Sequence, residues 1–325
     1  MTPTGIPGKF FILGLEGAIP DKSFVDLIEQ YPPSGIIFLA CNFESPSRLK
    51  KLISDLRSII GQDAIFAVDQ EPGRVQRFKT GFPESKSPRE YLHQHSTDDY
   101  REWCRQTASL LADIGINLNL APVVDLLSPD DESPVLSGRS FGDDIAAVNE
   151  FAGILIEEHK KAGVLTCAKH FPGLGSARHD PHEELSVSSQ PLESFIGRHW
   201  RPFRAAAETG CDTAMTTHLL SEAIDKDYPA TYSSRAISHL RHTIGFAGPI
   251  ISDDLIMKGA GKNDNIDNNA IRSLEIGHDL IIISRDVSLQ RKAIEGVWEK
   301  YQADRAFRES MTSREEIIDK LKTRI

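Results

Sequence analysis

The fold is decided by the stretch AAVNEFAGILIEEHKKAG at residues 146–163, which runs directly into VLTCAKHF at residues 164–171. In the first part, apolar residues recur at spacings of three and four, as on the buried face of a helix. Gly163 ends that part, and glycine is common just beyond a helix C-terminus. The second part is an almost unbroken apolar run, which is typical of a strand covered on both faces in a parallel sheet. The two parts predict one helix and one strand of an α/β fold.

Seven similar apolar runs extend this pattern along the chain. With helix-length segments between them, such as PSRLKKLISDLRSII, they predict eight strand–helix units, and eight units in this length match a (β/α)8 barrel of the TIM type. A doubly wound open sheet is the alternative. The predicted strands cover residues 9–15, 35–40, 64–70, 116–125, 164–171, 212–219, 249–254 and 278–284.

The chain is predicted to form a single domain over residues 1–325. It has no internal repeat, no low-complexity tract and no linker rich in proline and serine. With 325 residues, of which 40% are hydrophobic, it can bury a large core. The charged segment from about residue 300 to 325 predicts one or two closing helices.

Composition limits the class of partner. The net charge of -10 opposes attraction to nucleic-acid phosphates and to anionic membranes, so we expect neither as a partner. The N-terminal apolar run is broken by glycine and proline and fits neither a membrane helix nor a signal peptide, which predicts a cytoplasmic protein. The four cysteines are far apart and form no CxxC pair, so they predict reduced thiols rather than a disulfide framework or a structural zinc site.

Polar residues stand at the ends of five predicted strands. In a (β/α)8 barrel, the carboxyl ends of the strands and the loops behind them form the active site. One polar residue at a strand end is more often a helix cap, but five strands that end this way predict an active site at one rim of the barrel. These residues are Asp69, Gln70 and Glu71; Asp125; Lys169 and His170; His218; and Asp253 and Asp254.

Five motifs carry a resemblance to a known family. In chain order they are VDQEPGRVQRF, GRSFG, AKHFPGLG followed by DPH, PATYS and GFAGPIISDDLIMKGA. Together, from about residue 10 to 285, they resemble the single-domain β-N-acetylglucosaminidases of glycoside hydrolase family 3, the type used in bacterial peptidoglycan recycling. The chain departs from that pattern at Leu174, where the family usually has a second histidine, and at Pro72, where it has glycine.

The resemblance implies a retaining β-glycosidase, which forms a covalent glycosyl-enzyme. Asp253 is the candidate nucleophile, because it matches the family's Ser-Asp motif at the end of a buried strand. The alternative is that an aspartate here caps the next helix, and for Asp254 we favour this alternative.

The resemblance also points to a histidine acid/base on the loop after the fifth strand. Asp180 and His182 form the candidate dyad, in which the carboxylate holds the imidazole that protonates the leaving oxygen and later deprotonates water. Gly173 and Gly175 are expected to give this loop freedom to move. His179 does not match the motif and is expected to lie on the surface.

Five further residues are implied as the groups that hold the sugar. A carboxylate accepts hydrogen bonds from sugar hydroxyls, while cationic and imidazole side chains donate to hydroxyls or to an acetamido carbonyl. The predicted substrate-binding residues are Asp69, Arg74, Arg139, Lys169 and His170.

Other roles remain open for several rim residues. Arg74 and Arg139 have a structural salt-bridge network as their alternative, because arginine pairs readily with carboxylates. His218 is either a residue behind the site or a core histidine. No role is predicted for Gln70, Glu71 and Asp125.

The predicted substrate is a small carbohydrate that contains N-acetylglucosamine, and the predicted chemistry uses no metal and no cofactor. Another sugar specificity, or transfer to phosphate in place of water, remains open, because a histidine acid/base leaves less negative charge near the acceptor than a glutamate would. Two other classes also remain open. One is a metal-dependent barrel hydrolase that uses His170, His218 and the HDPH sequence, and the other is a non-catalytic sugar-binding barrel.

Overall fold

The structure is a computed structural model that describes residues 7–94, 96–127, 133, 135–177, 185–261 and 265–325. Every strand of the barrel wall is short and buried, as expected where helices cover the sheet. The strands in these ranges are β1 (Phe11–Gly14), β2 (Gly35–Phe38), β3 (Ile65–Val68), β4 (Leu118–Asn119), β5 (Leu165–Phe171), β6 (Ser186–Ser188), β7 (Thr213–Thr216), β8 (Leu219–Ser221), β9 (Ile250–Ile251) and β10 (Ile281–Ile283).

Eight of these strands form one parallel sheet in the order β10-β1-β2-β3-β4-β5-β7-β9. The two end strands also meet, because Ile251 forms a parallel bridge with Leu280 and the amide of Ser252 donates to the carbonyl of Leu280 at 3.0 Å. The sheet therefore closes on itself. This confirms the predicted (β/α)8 barrel and excludes the open sheet, and each of the eight strands lies inside a predicted segment.

The two remaining strands pair with each other outside the barrel wall. β6 and β8 run parallel, with Val187 opposite Leu220. The apolar pattern predicts one strand over residues 212–219, whereas the structure divides this segment between β7 and β8. At the interruption, the Thr217 hydroxyl donates to Asp253 and His218 contacts the Asp254 carbonyl, both at 3.0 Å. The Thr217 amide still donates to the Phe171 carbonyl of β5 at 2.9 Å, and the side-chain bonds join the interruption to the residues behind β9.

The helices surround this barrel and begin at ordinary capping residues. For example, the Ser45 side chain accepts from the Arg48 amide, and the Asp144 side chain accepts from the Ala146 amide. None of the helices in the described ranges combines the length and the apolar composition that a membrane crossing needs. The helices are α1 (Lys22–Gln30), α2 (Pro46–Ile60), α3 (Pro88–His93), α4 (Thr97–Ile114), α5 (Ile145–Lys161), α6 (Leu192–Ser194), α7 (Arg201–Thr209), α8 (Ser234–Ser238), α9 (Ile266–Ile276), α10 (Val287–Ala303) and α11 (Arg305–Lys322).

The last two helices pack against the barrel rather than extending into solvent. Phe307, Met311 and Ile318 of α11 are buried in the same apolar cluster as strands β1 to β3. Burying such side chains stabilises the fold by about 1.5–3 kcal/mol each. Arg314 adds an ion pair, with its guanidinium 3.6 Å from the buried carboxylate of Asp279. The C-terminal segment therefore belongs to the packed core of the barrel.

Candidate active site

A cavity of about 780 Å³ lies at the carboxyl ends of the barrel strands. Its lining includes Asp253, the predicted nucleophile, together with all five residues predicted to hold a sugar. These residues stand on or behind β3, β4, β5 and β9. The barrel therefore brings together side chains that are up to 184 residues apart in sequence (253 minus 69).

Asp253 follows β9 and is held by contacts on both of its carboxylate oxygens. Oδ2 accepts from the hydroxyl of Thr217 at 3.0 Å, and Oδ1 accepts from the amide of Asp254 at 2.9 Å. Its own amide donates to the carbonyl of Thr216 at 3.0 Å, which extends the pairing between β7 and β9. The carboxylate is thus fixed in orientation at the cavity wall, as a nucleophile needs.

Asp254 makes a different set of contacts. It was expected to cap the next helix, but its side chain instead accepts from the amide of Ile256 at 3.3 Å in the turn behind β9, and also from the amide of Ser284 at 3.1 Å and the Ser284 hydroxyl. Burial raises the pKa of Asp254 to about 6, although these neutral donors lower it in part. Asp254 therefore also joins the end of β9 to the end of β10.

Lys169 is a buried cation with two carboxylate partners. Its ammonium donates to Asp69 Oδ1 at 2.7 Å and lies 2.7 Å from Glu71 Oε1, while 1% of its side chain is exposed. Burial lowers the pKa of a lysine, but the two carboxylates outweigh burial and raise the pKa of Lys169. In return, and against the effect of burial, Lys169 and Arg77 hold the pKa of Asp69 below its usual range.

Glu71, for which the sequence predicts no role, forms the strongest pairing at this rim. Arg139 donates to it twice, from Nε to Oε2 at 2.8 Å and from Nη2 to Oε1 at 2.7 Å. Burial alone would raise the pKa of this carboxyl, but Arg139 and Lys169 lower it to about 2. The salt-bridge alternative for Arg139 is therefore correct as a contact, and Arg139 still lines the cavity.

His170 is oriented by Asp125, the other rim carboxylate without a predicted role. Nδ1 of His170 lies 2.7 Å from Asp125 Oδ2, and the same oxygen accepts from the His170 amide at 3.0 Å. On the far side of the ring, Nε2 lies 3.2 Å from Arg139 Nη2. The positions of both unassigned carboxylates at strand ends are the only signal in the sequence that could have suggested these roles.

Two arginines behind β3 add to the cationic part of the lining. Arg74 donates from Nη2 to the carbonyl of Val135 at 2.6 Å, and Arg77 lies 3.3 Å from Asp69 Oδ2. Arg74 was predicted to bind sugar, whereas Arg77 was not singled out, although it stands only three residues further along the same motif. Both side chains face the cavity.

Comparison with known proteins identifies this arrangement. The model of the glycosyl hydrolase family 3 N-terminal domain matches residues 13–314.

The chain belongs to glycosyl hydrolase family 3.

A relative named β-hexosaminidase, from Nitrosomonas eutropha, is 31% identical over 87% of this family 3 chain and 83% of its own length. A solved fungal multi-domain family 3 β-N-acetylglucosaminidase superposes with a TM-score of 0.92 at 26% identity. The superposition covers 98% of this chain and 39% of the fungal chain, so the present chain spans well under half of that protein. NagZ from Neisseria gonorrhoeae, solved with N-trifluoroacetyl-D-glucosamine, has a TM-score of 0.77 at 26% identity, with 97% and 99% of the two chains covered.

Leu174 stands where the resemblance described above leads to the expectation of a second histidine. Leu174 packs in a small apolar cluster with Val135 and also lines the cavity. Its amide donates to Asp125 Oδ1 at 2.7 Å. An apolar contact therefore connects the loops behind β4 and β5.

Glycine stands on both sides of Leu174, and the structural reason differs between the two positions. Gly173 has a φ of 121°, which favours glycine. At Gly175, a Cβ atom would lie 1.5 Å from the carbonyl oxygen of Leu126. Gly175 is thus required for close approach of two backbones, rather than for the freedom that the sequence pattern suggested. The loop that follows carries His179, Asp180 and His182, which lie outside the described residues.

His218 is fully buried and has partners on both ring nitrogens. Nδ1 lies 2.9 Å from the Thr231 hydroxyl, and Nε2 lies 3.0 Å from the Asp254 carbonyl. It is therefore a satisfied core histidine behind the rim. Within the described ranges, histidine, cysteine and acidic side chains form no group of three or more that could hold a metal ion.

Proposed function

We propose that this chain is a retaining exo-β-N-acetylglucosaminidase, which removes terminal β-linked N-acetylglucosamine within a single (β/α)8 catalytic domain over residues 1–325. The observation that carries the proposal is the shared cavity, in which Asp253 faces the same space as the cluster of Asp69, Arg139 and Lys169. Support also comes from relatives named β-hexosaminidase and from the family 3 neighbours whose names include β-N-acetylglucosaminidase.

In the first step, a carboxylate oxygen of Asp253 attacks the anomeric carbon while the bond to the leaving oxygen breaks. Protonated His182 gives its proton to that oxygen, and Asp180 stabilises the imidazolium before transfer. The product is a glycosyl ester on Asp253 and a neutral alcohol. The contacts to Thr217 and the Asp254 amide hold the carboxylate in place for this attack.

In the second step, neutral His182 takes a proton from water, and the water oxygen attacks the anomeric carbon. The ester bond breaks, Asp253 is released as a carboxylate, and His182 is protonated again for the next cycle. Two displacements at one carbon retain the β configuration of the sugar. His182 therefore serves as acid and then as base.

The sugar is held by the charged wall on the other side of the cavity. Asp69 accepts hydrogen bonds from hydroxyls, and the cationic and imidazole groups of Arg74, Arg139, Lys169 and His170 donate to hydroxyls and to the acetamido carbonyl. Because the ion pairs already orient these groups before the substrate arrives, little conformational freedom is lost on binding. This is the role we propose for the paired cations of the cluster.

We place the activity in the cytoplasm and in the recycling of peptidoglycan fragments. The aglycone in this proposal is a small carbohydrate rather than a polymer embedded in the cell wall. No cofactor takes part in the two steps.

A panel of aryl β-glycosides tests this proposal. Turnover should be highest for the 2-acetamido-2-deoxy-glucoside, compared with the glucoside and the 2-amino analogue, and chelators should leave the rate unchanged. The first product released should be the β-anomer, detected by proton NMR. An α-anomer first product, or turnover that is lost on chelation and restored by zinc, would contradict the proposal. The same panel with added phosphate separates hydrolysis from phosphorolysis through the appearance of a sugar phosphate.

A further inference from the structure

Glu71 does not line the cavity, yet it contacts two side chains that do. Its carboxylate receives both donors of a bidentate arginine, Nε and Nη2 of Arg139, at 2.8 and 2.7 Å. It also lies 2.7 Å from the ammonium of Lys169. The side chain of Glu71 is 1% exposed, so this carboxylate has no direct access to a bound sugar.

These contacts join two loops of the barrel rim and one strand. Glu71 stands on the loop behind β3, Arg139 on the loop behind β4, and Lys169 within β5 near its carboxyl end. The backbone of Glu71 is itself fixed, because its amide donates to the carbonyl of Val75 at 2.9 Å. A carboxylate on a fixed backbone therefore sets the direction in which two cations of neighbouring rim segments point.

Glu71 also balances charge. The core of the cluster consists of four groups in direct contact, the carboxylates of Asp69 and Glu71 and the cations of Lys169 and Arg139, of which Asp69 is 15% exposed. Without the charge of Glu71, this core would carry one more positive charge than negative charge. This excess would make the electrostatic potential at the cavity wall more positive, because the effective dielectric constant in a buried setting is lower than in water.

We infer that Glu71 is a positioning residue for the proposed reaction. It acts through Arg139 and Lys169, whose sugar-binding orientation it maintains, and it keeps the cavity from attracting anions. The inference depends on the proposed function, since the two cations are assigned to sugar binding there. The sugar is neutral at these positions, so a balanced cluster suits it better than a cationic one.

The main test is Glu71→Gln, which keeps the shape of the side chain and removes its charge. We expect KM for an aryl β-N-acetylglucosaminide to rise roughly ten- to a hundredfold, the range for a lost charged hydrogen bond, with a smaller change in kcat. Inorganic phosphate is used as a competitive anion. The phosphate concentration that inhibits the variant should be at least roughly threefold lower than the concentration that inhibits the parent protein.

Glu158 provides a matched control. It is also a buried carboxylate with two cation partners, Arg101 at 2.8 Å and Lys161 at 2.7 Å, but it lies on α5 and does not line the cavity. Glu158→Gln should lower stability while KM and phosphate inhibition stay at the values of the parent protein. A general loss of stability would instead change both variants in the same way.

A double-mutant cycle tests whether Glu71 acts through its partner. In an Arg139→Gln background, Glu71→Gln should raise KM by less than about threefold, because the bidentate contact is already absent and only the contact of Glu71 to Lys169 remains to be lost. Glu71→Asp separates geometry from charge and remains informative if the Gln variant is poorly folded. Its carboxylate is one carbon shorter, so KM should rise while phosphate inhibition stays unchanged.

Additive effects of Glu71→Gln and Arg139→Gln on KM, or unchanged phosphate inhibition in Glu71→Gln, would overturn the inference. Failure of the proposed function would be visible separately, as absent turnover by the parent protein. In that case calorimetry measures the dissociation constant of N-acetylglucosamine for the four proteins of the cycle. The effects of Glu71→Gln and Arg139→Gln on this constant are again expected to be coupled. Absence of coupling in that assay would also overturn the inference.

Discussion

Glu71 and Asp254 are carboxyl groups at the rim, behind strands that stand opposite each other in the barrel; Glu71 is buried, and Asp254 is partly buried. Glu71 follows β3 and accepts from two cations, and its pKa is lowered to about 2. Asp254 follows β9 and accepts from a serine and two backbone amides, and its pKa is raised to about 6. Burial acts in the same direction on both groups. The sign of the shift is decided by the charge of the donors.

The difference separates the two tasks that we propose for the rim. The side behind β3 to β5 contains charges that remain fixed because each is neutralised by a neighbour, which suits a wall that holds a neutral sugar. The side behind β9 contains Asp253 and Asp254, where backbone amides, Thr217 and Ser284 orient the carboxyl groups. Neutral donors orient a carboxylate and stabilise it less than a cation would, which leaves more of its nucleophilic character.

The largest effect is expected for the two neighbouring aspartates behind β9. Asp253→Asn should lower turnover by about a thousandfold or more, because a neutral amide cannot form the glycosyl ester. Asp254→Asn should remain within about tenfold of the parent protein, because it only orients the segment. Steady-state kinetics on an aryl β-N-acetylglucosaminide measure both. A 5-fluoro glycoside with a good leaving group should label Asp253, and a label on Asp254 would reverse the assignment.

The next effect concerns how much the protein is destabilised by a variant on each side of the rim. Glu71→Gln should reduce the free energy of unfolding by about 3–5 kcal/mol, because the guanidinium of Arg139 would stay buried with its ion pair broken. Asp254→Asn should change it by about 1 kcal/mol or less at pH 5, where the parent carboxyl is already largely protonated. Urea unfolding at pH 5 measures both. Equal losses in the two variants would show that donor charge does not distinguish the sides.

A third prediction uses the lowered pKa of Glu71. Its folded pKa of about 2 lies below the ordinary value of 4.5, so its contribution to stability is complete above pH 4.5 and is lost as the pH falls towards 2. We expect a loss of on the order of 3 kcal/mol from this group across that window. Unfolding free energies at several pH values should show it, with a flatter profile for Glu71→Gln. A parallel profile for the variant would contradict the assignment.

The smallest effect is expected from Asp254, with the opposite sign. Its folded pKa of about 6 exceeds the ordinary value of 3.8, so its contribution to stability is complete below pH 3.8 and is lost as the pH rises through 6. The expected loss is about 1–2 kcal/mol, because the side chain is only partly buried. Asp254→Asn should remove this part of the profile. The comparison would be wrong if the variant kept the same decrease between pH 4 and pH 6.

Several parts of the site are readable from the sequence, because they depend on local pattern. Strand β5 is a continuous apolar run, and the position of Lys169 and His170 near its end is sufficient to predict that they reach the rim. The predicted sugar-binding residues also line one cavity, but their role was implied by the resemblance to a known family rather than by local pattern. The roles of Glu71 and Asp125 were not predicted, since a carboxylate at a strand end has no assigned function until its partner is known.

Sequence periodicity by itself predicted eight strand–helix units and the rim at which the polar residues meet, since alternation of apolar strands and amphipathic helices admits few architectures, but it left an open sheet as the alternative to the barrel. Only the tertiary structure decided which charges neutralise each other and in which direction each pKa moves. Glu71 and Arg139 are 68 residues apart, and Asp254 and Ser284 are 30 apart, yet each pair is in hydrogen-bond contact. Electrostatic energy depends on distance and burial, and both are properties of the folded chain that residue spacing does not contain.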